Sequence, residues 1–394
     1  MVELPFVRKK KYHLCEFPQS LHKKIDFKIL YDGRYPSEKA AALFASEQAF
    51  HLSKNGYKVE IITSIRNISQ EHQKYTEKKF FVSKHTAIGP AFSPSNKTIL
   101  ILNQIRFGLN SRKYISLSAK KNKKISIIGN NIFPLIVQNK NNFLIFEIHD
   151  NIPKLLKFKF FRNRISLFIC TNNFKLNELN SNDQKKSLLL RNPTNVTFNA
   201  DLEDPAKSRK NLISFFEAPA DSKIILYTGS FGPEKNPKLL FEIVGLLPEF
   251  SFCFLGPGIQ QAMSEQSIQK KPINLFFRDS VDMFTAKRLQ KGADILLLTE
   301  NQENTISALY TSPMKLIEYI DARKVIVAPN LPAISEFLPL PGLHLYNPNS
   351  VHDLKKLIMG LSADETRVIR SDQELEKFSW DFRISQLVKK IDDK

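Results

Sequence analysis

The sequence predicts an α/β protein made of two doubly wound domains that face each other across a cleft. Short apolar runs typical of buried strands alternate with amphipathic, helix-forming stretches, which is the pattern of a parallel sheet. The alternation occurs twice and is interrupted over residues 192–208, which are rich in Pro, Asn and acidic residues. A chain of 394 residues is also too long for one ordinary core. These observations together favour two domains of similar size.

The first half begins with the strand FKILYD (27–32), a helix over SEKAAALFASEQAFHLSKNG and the strand YKVEIIT. A strand, a helix and a second strand in succession predict parallel pairing. An irregular stretch is expected over 66–97, followed by a helix over 98–120, the strand KISIIG, a helix near 133–139 and the strand FLIFEIH. Two short apolar runs, RISLFICT and SLLLRNP, complete this half.

The second half repeats the alternation, beginning with a helix over 206–217 and the strand KIILYTG (223–229). The expected elements that follow are PKLLFEIVGLLP (helix), FSFCFLG and INLFF (strands), TAKRLQKG (helix), DILLLT (strand), SPMKLIEYIDA (helix) and KVIVAP (strand). We therefore expect a basic leader over 1–26, domains over 27–205 and 206–375, and a C-terminal helix over 376–394. Ligands of such sheets bind beyond the carboxyl ends of the strands.

The net charge of +19 is unevenly distributed. Residues 1–205 hold 34 Lys and Arg against 16 Asp and Glu, a charge of +18, whereas residues 206–394 hold 24 against 23, a charge of +1. One basic domain predicts an anionic partner, and both nucleic acid and anionic lipid qualify. The alternative is that a composition rich in Lys and Asn raises the charge without any partner.

Targeting signals and cysteine usage both indicate a cytoplasmic protein. No run approaches the roughly 18 apolar residues of a membrane span, and the start lacks the cleavable apolar stretch of a secretory signal. Cys15, Cys170 and Cys253 fit no metal or disulfide spacing. We expect reduced thiols, with Cys170 and Cys253 in the core.

One βα loop has the features of a phosphate site. The sequence contains neither the glycine fingerprint of dinucleotide-binding folds nor a Walker A motif, and it has no Asp-x-Asp pair. The stretch YTGSFGPEKNPKLL (227–240) places a glycine turn and Lys235 between a strand and a helix that begins with Pro. N–H groups at a helix start and a nearby Lys favour phosphate. A solvated turn is the simpler alternative.

Several stretches, in this order, resemble the retaining glycosyltransferases of family 4 (group 1), which have the GT-B fold of two Rossmann-like domains. They are YTGSFGPEKN, FCFLGPG, DILLLT, YTSPMKLIEYIDARKVIVAPNLPAISEFL and FSWDFR. The first half is similar more loosely, through ILYDGRYPSEKAAAL and FLIFEIHD, so that the resemblance covers about residues 27–390. It implies an acceptor domain over 27–205, a nucleotide-sugar domain over 206–375 and a terminal helix that returns to the first domain.

The resemblance implies a donor site in the second domain. Glu318 would accept hydrogen bonds from the ribose hydroxyls of a sugar nucleotide, while the turn before it and Lys235 would contact the diphosphate. Two positions depart from the family, because Ser230 replaces an Arg and Tyr310 replaces the first acid of a Glu pair. The departures also admit an enzyme that has lost activity. The expected donor-binding residues are Gly229, Ser230, Lys235, Tyr310, Ser312, Pro313, Met314, Lys315, Leu316 and Glu318.

In the first domain the resemblance implies that His149 approaches the donor sugar, so His149 and Glu318 are the expected catalytic residues. A purely structural histidine is the alternative reading of His149. Asp150 either orients it or caps the next segment. Gly33 and Arg34 match a loop that approaches the diphosphate or the acceptor, and an Arg34 that only meets solvent is the alternative.

The resemblance implies a metal-independent, hexosyl-type transferase that needs no cofactor and uses a nucleoside diphosphate sugar as donor. The acceptor would be a glycan or a lipid-linked glycan, in cell-envelope or exopolysaccharide synthesis. The stretch KLLKFKFFRNR (154–164) carries five cations among Leu and Phe, which predicts attachment to the anionic inner face of the plasma membrane. A buried helix with only a basic edge is the alternative for this stretch. The alternatives are a nucleic-acid-binding protein and a sugar-nucleotide epimerase of the same fold.

Overall fold

The chain divides into two compact units. In the computed structural model the described residues are 25–33, 35, 40–64, 85–88, 97–117, 123–129, 142–149, 151–196, 204–310, 312–361 and 370–393. The first unit comprises Met1–Leu190 with Arg383–Lys394, and the second comprises Arg191–Phe382. The second unit thus begins earlier in the chain than the expected boundary near residue 205.

The first unit contains a seven-stranded parallel sheet. Its strands are β1 (Ile25–Tyr31), β2 (Lys58–Ser64), β3 (His85–Ile88), β4 (Lys123–Gly129), β5 (Phe143–Ile148), β6 (Leu167–Cys170) and β7 (Ser187–Leu189). They lie in the order β3-β2-β1-β4-β5-β6-β7, so the strand order reverses between β1 and β4. Such a reversal opens a crevice at the carboxyl edge of a doubly wound sheet.

The helices of the first unit connect these strands. They are α1 (Ala40–Lys54), α2 (Lys97–Leu117), a 3₁₀ turn (Lys154–Lys157), α3 (Lys159–Arg162), α4 (Asn173–Glu178) and α5 (Ser181–Lys185). The expectation that 66–97 is wholly irregular is wrong for β3, whose four residues are too few to show a strand pattern and are fixed by pairing with β2. The expected helix near 133–139 and residues 1–24 of the expected basic leader lie outside the described residues, and the last two residues of that leader, Ile25 and Asp26, begin β1.

The core of the first unit includes the end of the chain. Alternate residues of β1 and β2, such as Phe27 and Ile61, are buried against α1. The terminal helix joins the same cluster through Ile384, Leu387 and Ile391, whose spacing of three and four residues places them on one helix face. The return of the terminal helix to the first unit, expected from the resemblance, is therefore a hydrophobic packing interaction.

The second unit contains a six-stranded parallel sheet in the order β10-β9-β8-β11-β12-β13. Its strands are β8 (Lys223–Thr228), β9 (Phe250–Leu255), β10 (Leu275–Arg278), β11 (Ile295–Leu297), β12 (Val325–Pro329) and β13 (Leu343–Tyr346). The four central strands β9, β8, β11 and β12 are apolar and almost entirely buried, as strands covered by helices on both faces must be, whereas the edge strands β10 and β13 are only partly buried. Both units are therefore doubly wound α/β domains, as the alternation predicts.

Helices cover both faces of the second sheet. They are α6 (Pro205–Phe216), a 3₁₀ turn (Pro233–Lys235), α7 (Pro237–Leu246), α8 (Ile259–Glu265), α9 (Met283–Gly292), a π-helical turn (Ile306–Tyr310), α10 (Met314–Asp321), α11 (Pro332–Ser335), α12 (Val351–Gly360), α13 (Asp372–Glu376) and α14 (Trp380–Asp392), which enters the first unit at Arg383. No helix in the described part of the chain is long and apolar enough to cross a membrane.

The cysteines of the described strands are core residues. Cys170 on β6 and Cys253 on β9 are free thiols with no exposed surface, as the sequence predicts. Burial raises the pKa of each thiol to about 12, so both remain neutral and unreactive at neutral pH. Cys15 lies outside the described residues.

Two loops at the carboxyl edge of the second sheet pack backbone against backbone. The Gly229 N–H donates to the Leu255 carbonyl at 2.9 Å, and the Gly256 N–H donates to the Arg278 carbonyl at 3.2 Å. A Cβ on Gly256 would overlap the Gly229 carbonyl oxygen, and the φ of Gly256 is +148°. Glycine is therefore required at position 256.

We expect Gly256→Ala to destabilise the second unit by about 2 kcal/mol or more, because it combines a forbidden φ with a backbone clash. The measurement is the thermal unfolding midpoint. Gly245→Ala is the matched control, since a Cβ at this exposed position of α7 meets no atom within 4 Å. The control should be neutral or stabilising by up to about 1 kcal/mol. Equal midpoints for the two variants would contradict the prediction.

Candidate functional site

The expected donor-site residues lie at the carboxyl edge of the second sheet, where the strand order reverses. Strand β8 ends at Thr228 and continues into Gly229, while β11 ends at Leu297 and continues into Thr299 and Glu300. Because β8 and β11 are parallel neighbours, the two segments leave the sheet at the same edge. This edge is where ligands of doubly wound sheets bind.

The loop after β8 is fastened to the loop after β11 by three hydrogen bonds. The Asn301 N–H donates to the Glu234 carbonyl at 2.8 Å, and the Thr299 hydroxyl donates to the Lys235 carbonyl at 2.6 Å. The Lys235 ammonium donates to Glu300 Oε1 at 2.5 Å. Both the backbone and the side chain of Lys235 are therefore fixed by the neighbouring segment.

Glu300 is a site residue that the sequence analysis missed. Its side chain is 6% exposed, whereas that of its partner Lys235 is 26% exposed. Burial raises the pKa of Glu300, and the Lys235 ammonium and the Ser307 hydroxyl offset only part of this rise. The residue follows the DILLLT strand by one position, but nothing in the sequence pairs it with Lys235 across 65 positions.

Gly229 and Ser230 shape the loop through their backbones. A Cβ on Gly229 would lie 2.9 Å from the Tyr227 hydroxyl, which is too close. The same hydroxyl donates to the Ser230 carbonyl at 2.6 Å, while the Ser230 side chain is exposed. The site thus gains no charge at position 230, where the family has an Arg.

The start of α10 presents backbone N–H groups. Ser312 is buried, and its hydroxyl and carbonyl oxygens accept from the Asn192 N–H and side-chain amide at 3.2 and 3.4 Å. Pro313 is the N-cap residue and forms no side-chain cap hydrogen bond. The first N–H groups of a helix, here those of Met314, Lys315 and Leu316, have no acceptor within the helix and lie at its positive end. This geometry favours an anion such as phosphate.

Glu318 lies on the second turn of α10 and is already paired. Its Oε2 accepts from the Lys315 ammonium at 2.7 Å, an i to i+3 contact, and its side chain is 11% exposed. Its neighbour Tyr319 is buried, and the Tyr319 hydroxyl accepts from the Thr228 N–H at 2.9 Å. That bond ties α10 to the end of β8. Tyr310 ends the π-helical turn that precedes Ser312.

In the first unit His149 follows β5 directly and belongs to a buried charged cluster. Its Nε2 lies 3.2 Å from Glu147 Oε1, and its ring packs edge-on against Phe44 at 4.9 Å between centroids. Arg383 of α14 forms a short ion pair with the same carboxylate oxygen, and Gln48 donates to the other oxygen at 3.1 Å. The side chain of Glu147 is 1% exposed and that of His149 is 20% exposed.

The charges of this cluster compensate one another. Burial alone would raise the pKa of Glu147, but the Arg383 guanidinium, His149 and the Gln48 hydrogen bond outweigh it and lower this pKa to about 2. Arg383 also donates to the Leu190 carbonyl at 2.7 Å. Arg383 thus holds the carboxylate that faces His149.

Gly33 is another expected position of the first unit and lies at the carboxyl edge of the same sheet. Gly33 follows β1 by two residues, and a Cβ there would overlap the Tyr31 ring. The His149 carbonyl accepts from the buried Lys175 ammonium at 2.7 Å. Arg34 and Asp150 lie outside the described residues. Among the described side chains, no group of three or more His, Cys, Asp or Glu is arranged to hold a metal ion.

The sequence of the second unit resembles a known protein family. Residues 208–377 match the family model of the glycosyl transferases group 1. This part of the chain is therefore similar to the group 1 glycosyl transferases. The matched range contains Lys235, Glu300, the start of α10 and Glu318. The resemblance to group 1 glycosyltransferases is therefore confirmed, as is the prediction of a glycosyltransferase. Comparison with curated proteins gives no significant match.

Solved glycosyltransferase structures share the fold over nearly the whole chain. A glycosyltransferase from Rickettsia africae is 16% identical with a TM-score of 0.67, covering 93% of this chain and 97% of that one. HepE from Anabaena, in complex with UDP and glucose, is 12% identical with a TM-score of 0.64, covering 94% and 100%. Sucrose-phosphate synthase from Thermosynechococcus elongatus is 14% identical with a TM-score of 0.65, covering 93% and 98%. The predicted GT-B fold class is thereby confirmed.

We expect Arg383→Met to destabilise the first unit by about 3–5 kcal/mol at pH 7, because it leaves the Glu147 carboxylate buried without its cation. In the native protein the pKa of Glu147 is about 2, below its usual 4.5, so the ionised form stabilises the fold above pH 4.5 and this contribution is lost toward pH 2. In the variant the unpaired charge is the defect, so the deficit should shrink as the pH falls from 7 to 4.5.

Denaturant titrations at several pH values measure this. The double variant Glu147→Gln/Arg383→Met removes both charges and should be more stable at pH 7 than Arg383→Met alone. A deficit that is independent of pH, or a double variant less stable than the single one, would contradict the prediction.

Proposed function

We propose that the protein is a retaining glycosyltransferase that moves a hexose from a nucleoside diphosphate sugar to a glycan or lipid-linked acceptor. The observation that carries the proposal is the grouping of Lys235, the N-terminus of α10 and Glu318 at one sheet edge of a domain that is similar to the group 1 glycosyl transferases. The complex of HepE with UDP and glucose supports a nucleotide-sugar donor. We place the reaction in the cytoplasm, in cell-envelope or exopolysaccharide synthesis.

The proposed donor site neutralises the diphosphate without a metal ion. Lys235 supplies a positive charge, and the N–H groups of Met314, Lys315 and Leu316 supply oriented dipoles where negative charge develops on the leaving group. Ser230 adds no charge, so this protein depends on Lys235 more than relatives with an Arg at that position.

Glu318 is proposed to bind the ribose. A carboxylate has two oxygens and about four acceptor positions, so the Lys315 bond to Oε2 leaves Oε1 for a ribose hydroxyl. Lys315 then holds the carboxylate in place. Tyr310, in place of a Glu, would meet the donor sugar with a phenol and not with a carboxylate.

His149 is proposed to approach the donor sugar and to stabilise its oxocarbenium-like transition state. Because Nε2 faces Glu147, the opposite side of the imidazole ring is the part available to a sugar. The loop of Gly33 and Arg34 is proposed to reach the diphosphate or the acceptor.

Two other functions share some of these features. A nucleic-acid-binding protein would use the +18 charge of residues 1–205. It would bind nucleic acid tightly and in a salt-sensitive way, with no effect of a nucleotide sugar. A sugar-nucleotide epimerase of the same fold would convert its substrate without any acceptor, which product analysis would reveal.

We expect Glu318→Gln to weaken nucleoside diphosphate binding by roughly ten- to a hundredfold, because a charge-assisted hydrogen bond contributes about 1.5–3 kcal/mol. Thermal stabilisation first ranks UDP, GDP, ADP, CDP and dTDP, since a ligand at a hundred times its dissociation constant stabilises by about 2.7 kcal/mol. Where a ribonucleotide ranks first, calorimetry then titrates it and its 2′-deoxy form into the native protein and the variant. The native protein should prefer the ribose form, and the variant should lose most of that preference.

Glu242→Gln is the matched control, because Glu242 is an exposed helical glutamate whose lysine partner, Lys238, is 3.9 Å away. It should leave binding unchanged. Additive losses in the double-mutant cycle would show that Glu318 does not contact the ribose. Failure of every nucleoside diphosphate to bind would reject the proposed function.

We further propose that the first unit contacts an anionic membrane through the Phe158–Arg164 segment. Phe158 and Phe160 are 61% and 67% exposed, and Arg164 lies over the Phe160 ring at 5.8 Å. Exposed aromatic rings beside cations favour the interface of an anionic bilayer. A lipid-linked acceptor would be presented at that surface.

The double variant Phe158→Ser/Phe160→Ser should lose most of its co-flotation with liposomes that contain anionic lipid. Phe284→Ser is the control, because Phe284 is 72% exposed but belongs to the second unit. It should float like the native protein. Equal recovery of the native protein with and without anionic lipid would end this part of the proposal.

A further inference from the structure

The Lys235–Glu300 ion pair poses an electrostatic problem for the proposed donor site. Lys235 is the side-chain cation proposed to face the diphosphate, yet its ammonium lies 2.5 Å from a carboxylate. The pair as a whole carries no net charge. A neutral pair attracts a diphosphate far less than a free lysine does, because the field of Glu300 cancels most of that of Lys235.

The surroundings of Glu300 make its negative charge costly. The charged or titratable groups that interact with it are Lys235 and Glu234 from the loop after β8, Tyr227 on β8 and Tyr346 on β13. Burial raises the pKa of both phenols, so they are neutral, and Glu234 repels the Glu300 carboxylate. Lys235 is therefore the compensating charge among these groups.

A diphosphate that binds Lys235 would remove much of this compensation. The Lys235 side chain is partly exposed, so its remaining N–H groups can reach a ligand while the carboxylate stays buried. A nucleotide-sugar diphosphate then adds two negative charges beside the ammonium. Like charges that share one cation in a buried site favour protonation of the weaker acid, which here is the carboxylate.

We propose that Glu300 is a positioning residue that compensates Lys235 in the free protein and takes up one proton from solvent when a nucleotide-sugar diphosphate binds that lysine. The inference rests on the proposed function and adds a protonation step to it. Protonation leaves Glu300 neutral and gives the full charge of Lys235 to the diphosphate. The proton returns to solvent when the nucleoside diphosphate leaves and the ion pair forms again.

The step has two measurable consequences. Donor affinity rises as the pH falls, by up to about tenfold per pH unit where one full proton is taken up. Binding also draws protons from the buffer. A residue that only braces the loop would produce neither effect.

Calorimetry tests the inference with the glucose ester of whichever nucleoside diphosphate stabilises the protein most. A nucleotide sugar is used because its diphosphate, esterified at both ends, does not titrate near neutral pH. Titrations at pH 7 in two buffers of different ionisation enthalpy give the number of protons exchanged. The native protein should take up a substantial fraction of one proton per nucleotide sugar bound.

Glu300→Gln should abolish the proton uptake and make the affinity independent of pH between 6 and 8, with affinity at pH 8 equal to or tighter than that of the native protein. Glu234→Gln is the matched control, because it removes a carboxylate from the same loop that does not pair with Lys235. It should keep the uptake. Lys235→Met removes the proposed contact with the diphosphate, so it should weaken binding and abolish the proton uptake. If Glu300→Gln does not fold, Lys235→Met is the variant that tests the inference.

Each outcome is decisive. Binding to the native protein without proton uptake overturns the inference and leaves the proposed function standing. Uptake that persists in Glu300→Gln assigns the proton to another group and also overturns it. Failure of every nucleotide sugar to bind overturns the proposed function together with the inference.

Discussion

The parallel pairing of β8 with β11 is the constraint on which the proposed donor site depends. It brings the loop that carries Lys235 and the segment that carries Glu300 to one edge of the sheet. The Thr228–Tyr319 hydrogen bond then fastens α10 to the same edge. Without this pairing, the lysine, the helix N-terminus and Glu318 could not form the proposed donor site.

Three of the described side chains proposed to act on the donor already face a titratable or charged neighbour in the folded chain. Lys235 is bound to Glu300, Glu318 to Lys315, and His149 faces a carboxylate that Arg383 holds. Such pairing fixes the positions of long side chains before a ligand arrives, which lowers the entropic cost of binding. It also means that a ligand must share or displace an existing partner.

The buried glutamates of the two units, Glu147 and Glu300, differ in how their negative charge is compensated. In the first unit, Glu147 forms an ion pair with Arg383 and accepts a hydrogen bond from the Gln48 amide, and its pKa is lowered to about 2. In the second unit, burial dominates at Glu300 in spite of its lysine, and the pKa rises. The first carboxylate is therefore ionised at neutral pH and holds its surroundings, whereas the second is the one for which we propose a change of protonation state.

The sequence by itself determined the doubly wound class of both units, most strands, the resemblance to group 1 glycosyltransferases and the position of Lys235 in a βα loop, because these depend on local periodicity and short motifs. Only the tertiary structure decided that Glu300 meets Lys235 and that Arg383 meets Glu147, across 65 and 236 positions. The four-residue strand β3 could likewise not be predicted from sequence periodicity, because its pairing with β2 and not its intrinsic propensity makes it a strand. The packing of segments that are distant in the chain determines which residues pair with a buried charge. Local sequence spacing carries no information about that packing.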